Sequence, residues 1–567
     1  MTLTHWLILF LIVQIVHFAG TWKLYEAAGR KRWEAAIPVY NAIVLMKIIN
    51  RPAYWTILLF VPVVNLIMFP VVWVETLRAF GRSSTTDTFL GIFTFGLYIY
   101  YINYTQPLNH IPDRELRSKS KVGETVSSLL FAVVVATLVH TYVMQPFTIP
   151  SPSLEKTLLV GDFLFVSKYN YGARTPSTTV AFPMVHDTIP IVNKKSYSRW
   201  PQLPSFRFPG FEKPEKNDIV VFNWPADTVT KFFDASTPGV DKPIDKKSNY
   251  VKRCVGAPGD SLSIRDGFVY INGKELKLSD RAKPQYVHKV YSKRGVPTPL
   301  IIAAGSTEFD RFFEIPRPNP QQAEALRPYL KGVQELSATS LRLTTDQHGF
   351  PSNVLKEIGL TANEVYNYEV DVNLTLPGAE KLRANKTEID SVVRIVLPKS
   401  QAELSDVFPK GYTNWSIDNY GPLYIPEAGK TVALTRETLP FYKKVITTYE
   451  GNDLKVNGDE ILINGAPAKT YTFKQDYYYM MGDNRHKSED SRYWGFVPEN
   501  HIVGKPVFIW LSVNADGSGL NKIRWNRMFT TVGGDGEPIS YFKFFLIALG
   551  LYVVASFFVK KKKPAES

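Results

Sequence analysis

The chain has 567 residues, 45% of them hydrophobic, which is enough for more than one domain and a large core. Its 66 Lys and Arg against 52 Asp and Glu give a formal charge of +14, and a single cysteine, Cys254, excludes an intramolecular disulfide. No CxxC, HExxH or spaced Cys/His set is present, and no Gly-x-Ser-x-Gly elbow accompanies the nine scattered histidines. The usual zinc motifs and the usual Ser-His-Asp signature are therefore both missing.

In chain order, five apolar runs stand out at 3–19, 54–77, 88–105, 126–143 and 541–559. Each is near the ~20 residues that a membrane helix needs. The excess positive charge lies beside them. Lys23, Arg30, Lys31, Arg32, Lys47 and Arg51 crowd one loop, Arg114, Arg117, Lys119 and Lys121 another, and four lysines at 560–563 follow the last run. Lysine and arginine take such places on the cytoplasmic side of a bilayer, so the charge points to a membrane surface and away from nucleic acid. With all three clusters inside, the N-terminus, the short loop holding Arg82 and the whole of 146–538 lie outside. The first run has no basic stretch before it and no small-x-small site after it, so it is expected to stay as an uncleaved helix. Pro62, Asn65 and Pro70 leave open whether 54–77 is one span or two half-helices.

Residues 1–125 are expected to form a multi-helix membrane domain without an ionisable constellation, and 126–145 a helix leading out of the bilayer. The segment Ile37-Pro38-Val39-Tyr40-Asn41, with Gly81, resembles a small bacterial membrane domain of unknown function. From 146 onward short β-rich runs dominate, at 163–167, 219–222, 250–255, 268–271, 461–463, 477–481 and 506–512. Bounded by Gly, Asn, Asp and Pro, they predict a mostly antiparallel β domain over 146–279 and 446–535. Asn272-Gly273 and Asn464-Gly465 each follow a β run, the pair best suited to a two-residue type I′ turn. Between these units, 280–445 is an expected inserted lobe with a helical piece near 320–336, and 540–559 a final membrane helix.

Directly after the 126–143 run comes Ile149-Pro150-Ser151-Pro152-Ser153-Leu154. Pro-Ser-Pro-Ser alone is more often a linker. A serine hydroxyl becomes a useful nucleophile only when a base takes its proton. Lysine can be that base when neutral, yet a reference pKa of roughly 10.4 leaves about one molecule in a thousand deprotonated near pH 7. Burial lowers that value. Lys252 lies in Tyr250-Val251-Lys252-Arg253-Cys254-Val255-Gly256-Ala257-Pro258-Gly259-Asp260, where strand alternation puts it on one face with Cys254. The alternative is an ordinary exposed strand lysine. Cys254 itself reads as a small buried apolar residue.

Taken together, these segments resemble bacterial type I signal peptidases. That family follows a membrane span with a serine motif, then Gly-Asp, then Lys-Arg-x-Val-Gly-x-Pro-Gly-Asp, then Gly-Asp-Asn-x-x-x-Ser-x-Asp-Ser-Arg. The corresponding stretches here are 151–158, Gly161-Asp162, 252–260 and 482–492, the last followed by Tyr493-Trp494-Gly495. The resemblance implies that Ser153 is the nucleophile and Lys252 the general base. It also implies that Ser151 and the Ser153 N–H form the oxyanion hole, that Ser488 orients the lysine and that Asp490 and Arg492 form a structural ion pair. Substrate contacts are expected from Ile149, Pro150, Leu154, Leu158, Tyr250 and Val251, with extended edges at 147–151 and 250–252 clamping a peptide by strand addition.

The family usually has methionine at 154 and proline at 156. Leu154 keeps the apolar contact, whereas losing proline is expected to loosen the backbone, and charge at Glu155 and Lys156 to change depth at the bilayer surface. The implied protein is a membrane peptidase at the outer face of a bacterial inner membrane. It would need no cofactor or metal and would act on signal-peptide-bearing preproteins, with the export machinery as a further partner. A narrow-substrate processing peptidase and a catalytically silent receptor for exported peptides are the alternatives.

Overall fold

Thr2 caps the first helix, α1 (Leu3–Ala27), through a reciprocal pair of bonds with His5. At 1.5 Å per residue this helix is long enough to cross a hydrocarbon layer of ~30 Å. Only 6% of its most apolar window is buried within the protein. A second long helix, α2 (Lys121–Leu138), is capped by Ser120 and continues through a π turn to Val143. The computed structural model describes residues 2–116, 120–229, 239–404, 406–411, 414–515 and 517–560. Among these, α1 and 121–143 are the two helices long and apolar enough to cross a membrane, and Phe542–Phe557 within the last helix, α3 (Phe542–Lys560), is a shorter apolar run. Arg117, Lys119 and the lysines at 561–563 lie outside the described residues.

Two of the five expected spans are not continuous helices. Run 54–77 divides into Trp55–Leu58 and Asn65–Ala79, with Val63 at φ 68° after Pro62. Run 88–105 divides into Thr85–Phe93 and Tyr98–Thr105 around Phe95 and Gly96, both at positive φ. Left-handed residues stop the helical hydrogen-bond ladder, which settles 54–77 as two pieces and corrects the single span expected at 88–105. The pieces pack against α1 around Leu24, Tyr25, Val44, Met46, Ile49, Leu77 and Ile102. Gly20 permits this, because a Cβ there would lie 2.4 Å from the Tyr100 ring. This unit also holds a charged constellation, contrary to expectation: buried Glu75 pairs with Arg51 at 2.7 Å and Arg78 at 3.4 Å, and with Arg114.

Beyond α2 the chain forms a sheet of β1 (Met144–Thr148), β2 (Asp162–Ser167), β3 (Ile219–Asn223), β4 (Asn249–Gly256), β5 (Tyr477–Met481), β6 (Val497–Pro498) and β7 (Ile502–Ser512). Their order is β1-β2-β7-β3-β4-β5-β6, antiparallel at every step, with Thr530–Thr531 added beside β7. Its two faces bury different sets. Leu154, Leu164, Val166, Ile219 and Val221 pack on one, and Val220, Phe222, Cys254, Tyr478 and Met480 on the other. Both Asn-Gly turns have the expected positive φ at each residue and join strands paired on either side of two loop residues.

The insert has its own core, built on Val290, Ile301, Phe309, Val372, Leu374 and Leu382. The expected helix at 320–336 is shorter. It runs from Pro320 to Leu326, and after one 3-10 turn holding Pro328 the chain becomes a strand, Leu330–Glu335.

Candidate functional site

β1 is an edge strand, and Pro146 within it fits such a place. Ile149 stays tied to β2 through Asp162 O and Gly161 N. Pro152 then opens a 3-10 turn, Pro152–Leu154, that packs against β4. Buried Leu154 anchors the turn, and its carbonyl accepts from the Thr157 and Leu158 N–H groups. Ser153 is therefore held in a rigid turn at 6% exposure. Its carbonyl accepts from the Asn484 N–H at 3.1 Å, and the Pro152 carbonyl accepts from Asn484 Nδ2 at 3.1 Å.

Lys252 lies mid-strand in β4, opposite Val220 of β3. On the other side Cys254 pairs with Met480 and Arg253 with Met481, so the next residue, Gly482, comes level with Lys252. Gly482 is where the site closes up. A Cβ on it would lie 2.2 Å from Ser488 Oγ and 2.5 Å from the Ser153 carbonyl oxygen. The Ser153 turn, the Ser488 hydroxyl and the Lys252 position thus meet around a residue that has to lack a side chain.

Lys252 is 4% exposed, with Nζ 5.4 Å from the centre of the Tyr250 ring. Burial brings its pKa down to about 8, opposed by the charges of Asp490 and Glu489 and assisted by Arg492. Among the described residues it has no salt bridge, and no hydrogen bond joins its amine to the Ser153 hydroxyl. Such bonds are often long before substrate arrives. Ser488 Oγ is buried with no hydrogen-bond partner.

Two ion pairs brace this centre. Arg492 binds Asp490 with two N–H groups at 2.9 Å, and the same carboxylate accepts from the Gly482 N–H at 3.1 Å. Arg253 grips Asp483 at 2.8 and 2.6 Å, and Thr157 donates to Asp483 at 2.6 Å. Burial raises both carboxyls, but the guanidinium beside each outweighs it and holds them below the usual range.

The insert reaches this centre through residues that carry no local signature. Glu308 accepts from Asn484 Nδ2 and Asn373 Nδ2, both at 2.9 Å, and Asn373 also donates to Asn484 Oδ1 at 2.9 Å. Gln285 accepts from the Arg485 N–H, and its amide donates to the Glu155 carbonyl at 3.0 Å.

Of the residues expected to meet substrate, Ile149, Leu154 and Leu158 are at most 3% exposed and belong to the core beneath the turn. Pro150 is exposed, Ser151 half-buried, and Val251 half-buried against the same core. Tyr250 stacks on Trp224 at 4.9 Å. Glu155 is buried rather than set at a bilayer surface. Lys156 has φ 71°, which proline, fixed near −65°, cannot adopt.

Against known proteins, residues 122–299 and 468–511 match the family model "Signal peptidase, peptidase S26", and 33–111 match a family of unknown function, DUF5684. A curated relative from Buchnera aphidicola is 23% identical over 70% of this chain and 77% of its own length. One from Haemophilus influenzae is 24% identical over 73% and 76%, and one from Rickettsia typhi is 28% identical over 29% and 50%. All three are named "Signal peptidase I".

Proposed function

We propose that the chain, which matches the signal peptidase family model over 122–299 and 468–511 and is similar to curated signal peptidases I, cleaves signal peptides from preproteins, and that Ser153 and Lys252 perform the cleavage. Neutral Lys252 takes the Ser153 proton as the oxygen attacks the scissile carbonyl. The tetrahedral oxyanion accepts from the Ser153 N–H and the Ser151 hydroxyl. Lysine's ammonium then protonates the leaving amine, and an ester to Ser153 remains. Water, deprotonated by the same amine, hydrolyses the ester and restores the serine.

The carrying observation is the crowding at Gly482, which brings the serine turn, the lysine strand and Ser488 together. With a pKa of about 8, roughly a tenth of the lysine is neutral at pH 7. Ser488 would orient that amine, and the Asp490–Arg492 pair would hold the loop. Substrate would extend beside the free edge of β1 and meet Pro150, Tyr250 and Val251, with Ile149, Leu154 and Leu158 forming the floor of the cleft. α1 and α2 would anchor the domain with its basic loops inside and the site on the outer face, where export delivers preproteins.

The test uses full-length protein in detergent with a fluorogenic peptide in which an Ala-x-Ala site is followed by further residues. Ser153→Ala and Lys252→Ala should each abolish cleavage. The parent's kcat/KM should rise tenfold per pH unit below about 8 and level off above it. Unchanged cleavage by either variant would overturn the dyad.

A further inference from the structure

A second cluster of cations, two buried and one half-buried, lies away from Ser153, where the β domain meets the apolar helices. A cavity of about 240 Å³ opens between the last turns of α2, near His140 and Thr141, the start of β1 at Gln145, and the loop around Phe182 and Met184. Val63 of the N-terminal unit also reaches it. Lys168, Arg174 and Lys246 line it.

These cations are poorly compensated. Lys168 is 7% exposed and Lys246 8%. Lys168 donates to Gln145 Oε1 at 2.6 Å, Arg174 to Asn223 Oδ1 at 2.5 Å and to the Asn500 carbonyl, and Lys246 sits 5.4 Å from the centre of the Tyr197 ring. Among the described residues none of the three lies within salt-bridge distance of a carboxylate. One carboxylate, Asp245, also lines the cavity and its charge acts on Arg174 and Lys246, but its oxygens accept from Ser177 Oγ, Thr178 Oγ1 and the Thr178 N–H, at 2.7, 2.9 and 3.2 Å. Burial and then the charges of Arg174 and Arg207 bring the Lys168 amine down to about 7. Three basic side chains against one carboxylate leave the cavity an excess of positive charge, which is costly to bury and which an anion would offset.

We propose that this cavity binds a phosphate group and that its source is the headgroup of an anionic phospholipid. One guanidinium and two lysine amines lining one cavity suit a phosphodiester, whose charge would hold the Lys168 amine protonated. The cavity sits where the apolar helix 121–143 ends, which is headgroup depth for a helix of that length crossing a bilayer. Beside it Val180, Phe182 and Met184 are 42%, 58% and 54% exposed, a set of apolar side chains suited to the acyl boundary. The inference depends on α2 crossing the membrane and is independent of the Ser153–Lys252 reading.

Full-length protein in detergent, mixed with phosphatidylglycerol and observed as the intact complex by mass spectrometry, tests it. The parent should carry one bound lipid that millimolar inorganic phosphate does not displace. Arg174→Gln and Lys246→Met should each reduce that occupancy at least tenfold. Lys246→Met carries the test if Arg174→Gln melts early. Equal lipid occupancy in parent and a folded variant overturns the site. Displacement by inorganic phosphate, or equal retention of phosphatidylcholine, overturns the anionic lipid as its source.

Discussion

Adjacent residues of β4 bury positive charge in opposite ways. Arg253, on one face, is clamped by both oxygens of Asp483, and Arg492 nearby is clamped likewise by Asp490. Lys252, on the other face, is as deeply buried and, among the described residues, has no carboxylate within salt-bridge distance. The paired arginines stay charged and fix the geometry of the 482–492 loop. The unpaired lysine loses its proton at lower pH, which is what a general base requires. Rigidity and the proposed reactivity thus come from the same strand, divided by whether a carboxylate is supplied.

Removing the clamp should have the largest effect. Asp483→Asn leaves Arg253 buried without a counter-charge, a change that commonly costs 3–5 kcal/mol. A large drop in melting temperature is expected, and an unchanged one would erase the contrast between the two faces. Lys252→Met should move stability the other way. The lysine's folded pKa lies below its unfolded value, so the native state carries a penalty that is complete below about pH 8 and fades as pH rises toward ~10.4. The methionine variant should therefore be inactive yet more stable by about 3 kcal/mol at pH 7, with the gain shrinking above pH 8 in parallel melts. The smallest effect belongs to the insert. Glu308→Gln weakens the bonds that hold Asn484 against the serine turn, and an order of 1 kcal/mol is expected. The kcat should fall several-fold with KM little changed; a KM effect alone would make Glu308 a substrate contact instead.

What was legible in the sequence follows from how local each signal is. The Asn272-Gly273 and Asn464-Gly465 turns, the runs that became β2 to β5 and the serine and lysine segments each depend on a few contiguous residues. The break near Val63 was signalled by Pro62, Asn65 and Pro70, whereas the one at Phe95 was not legible, because apolar length says nothing about a left-handed residue. Nor was the Glu75 constellation, whose arginines at 51 and 114 are distant in the chain. The tie from Glu308 and Asn373 to Asn484 joins polar residues far apart that resemble any others in a solvated insert. The left-handed Lys156 explains the missing proline only once its φ is known.

The mechanism requires a lysine kept dry and able to shed its proton near neutral pH. Its most direct test is the NMR titration of 13C-labelled lysine side chains in the Ser153→Ala protein in detergent, with the Lys252 signal assigned by its loss in Lys252→Met. A midpoint near pH 8 is the predicted result; a midpoint near 10.4, that of a solvated lysine, would contradict the account.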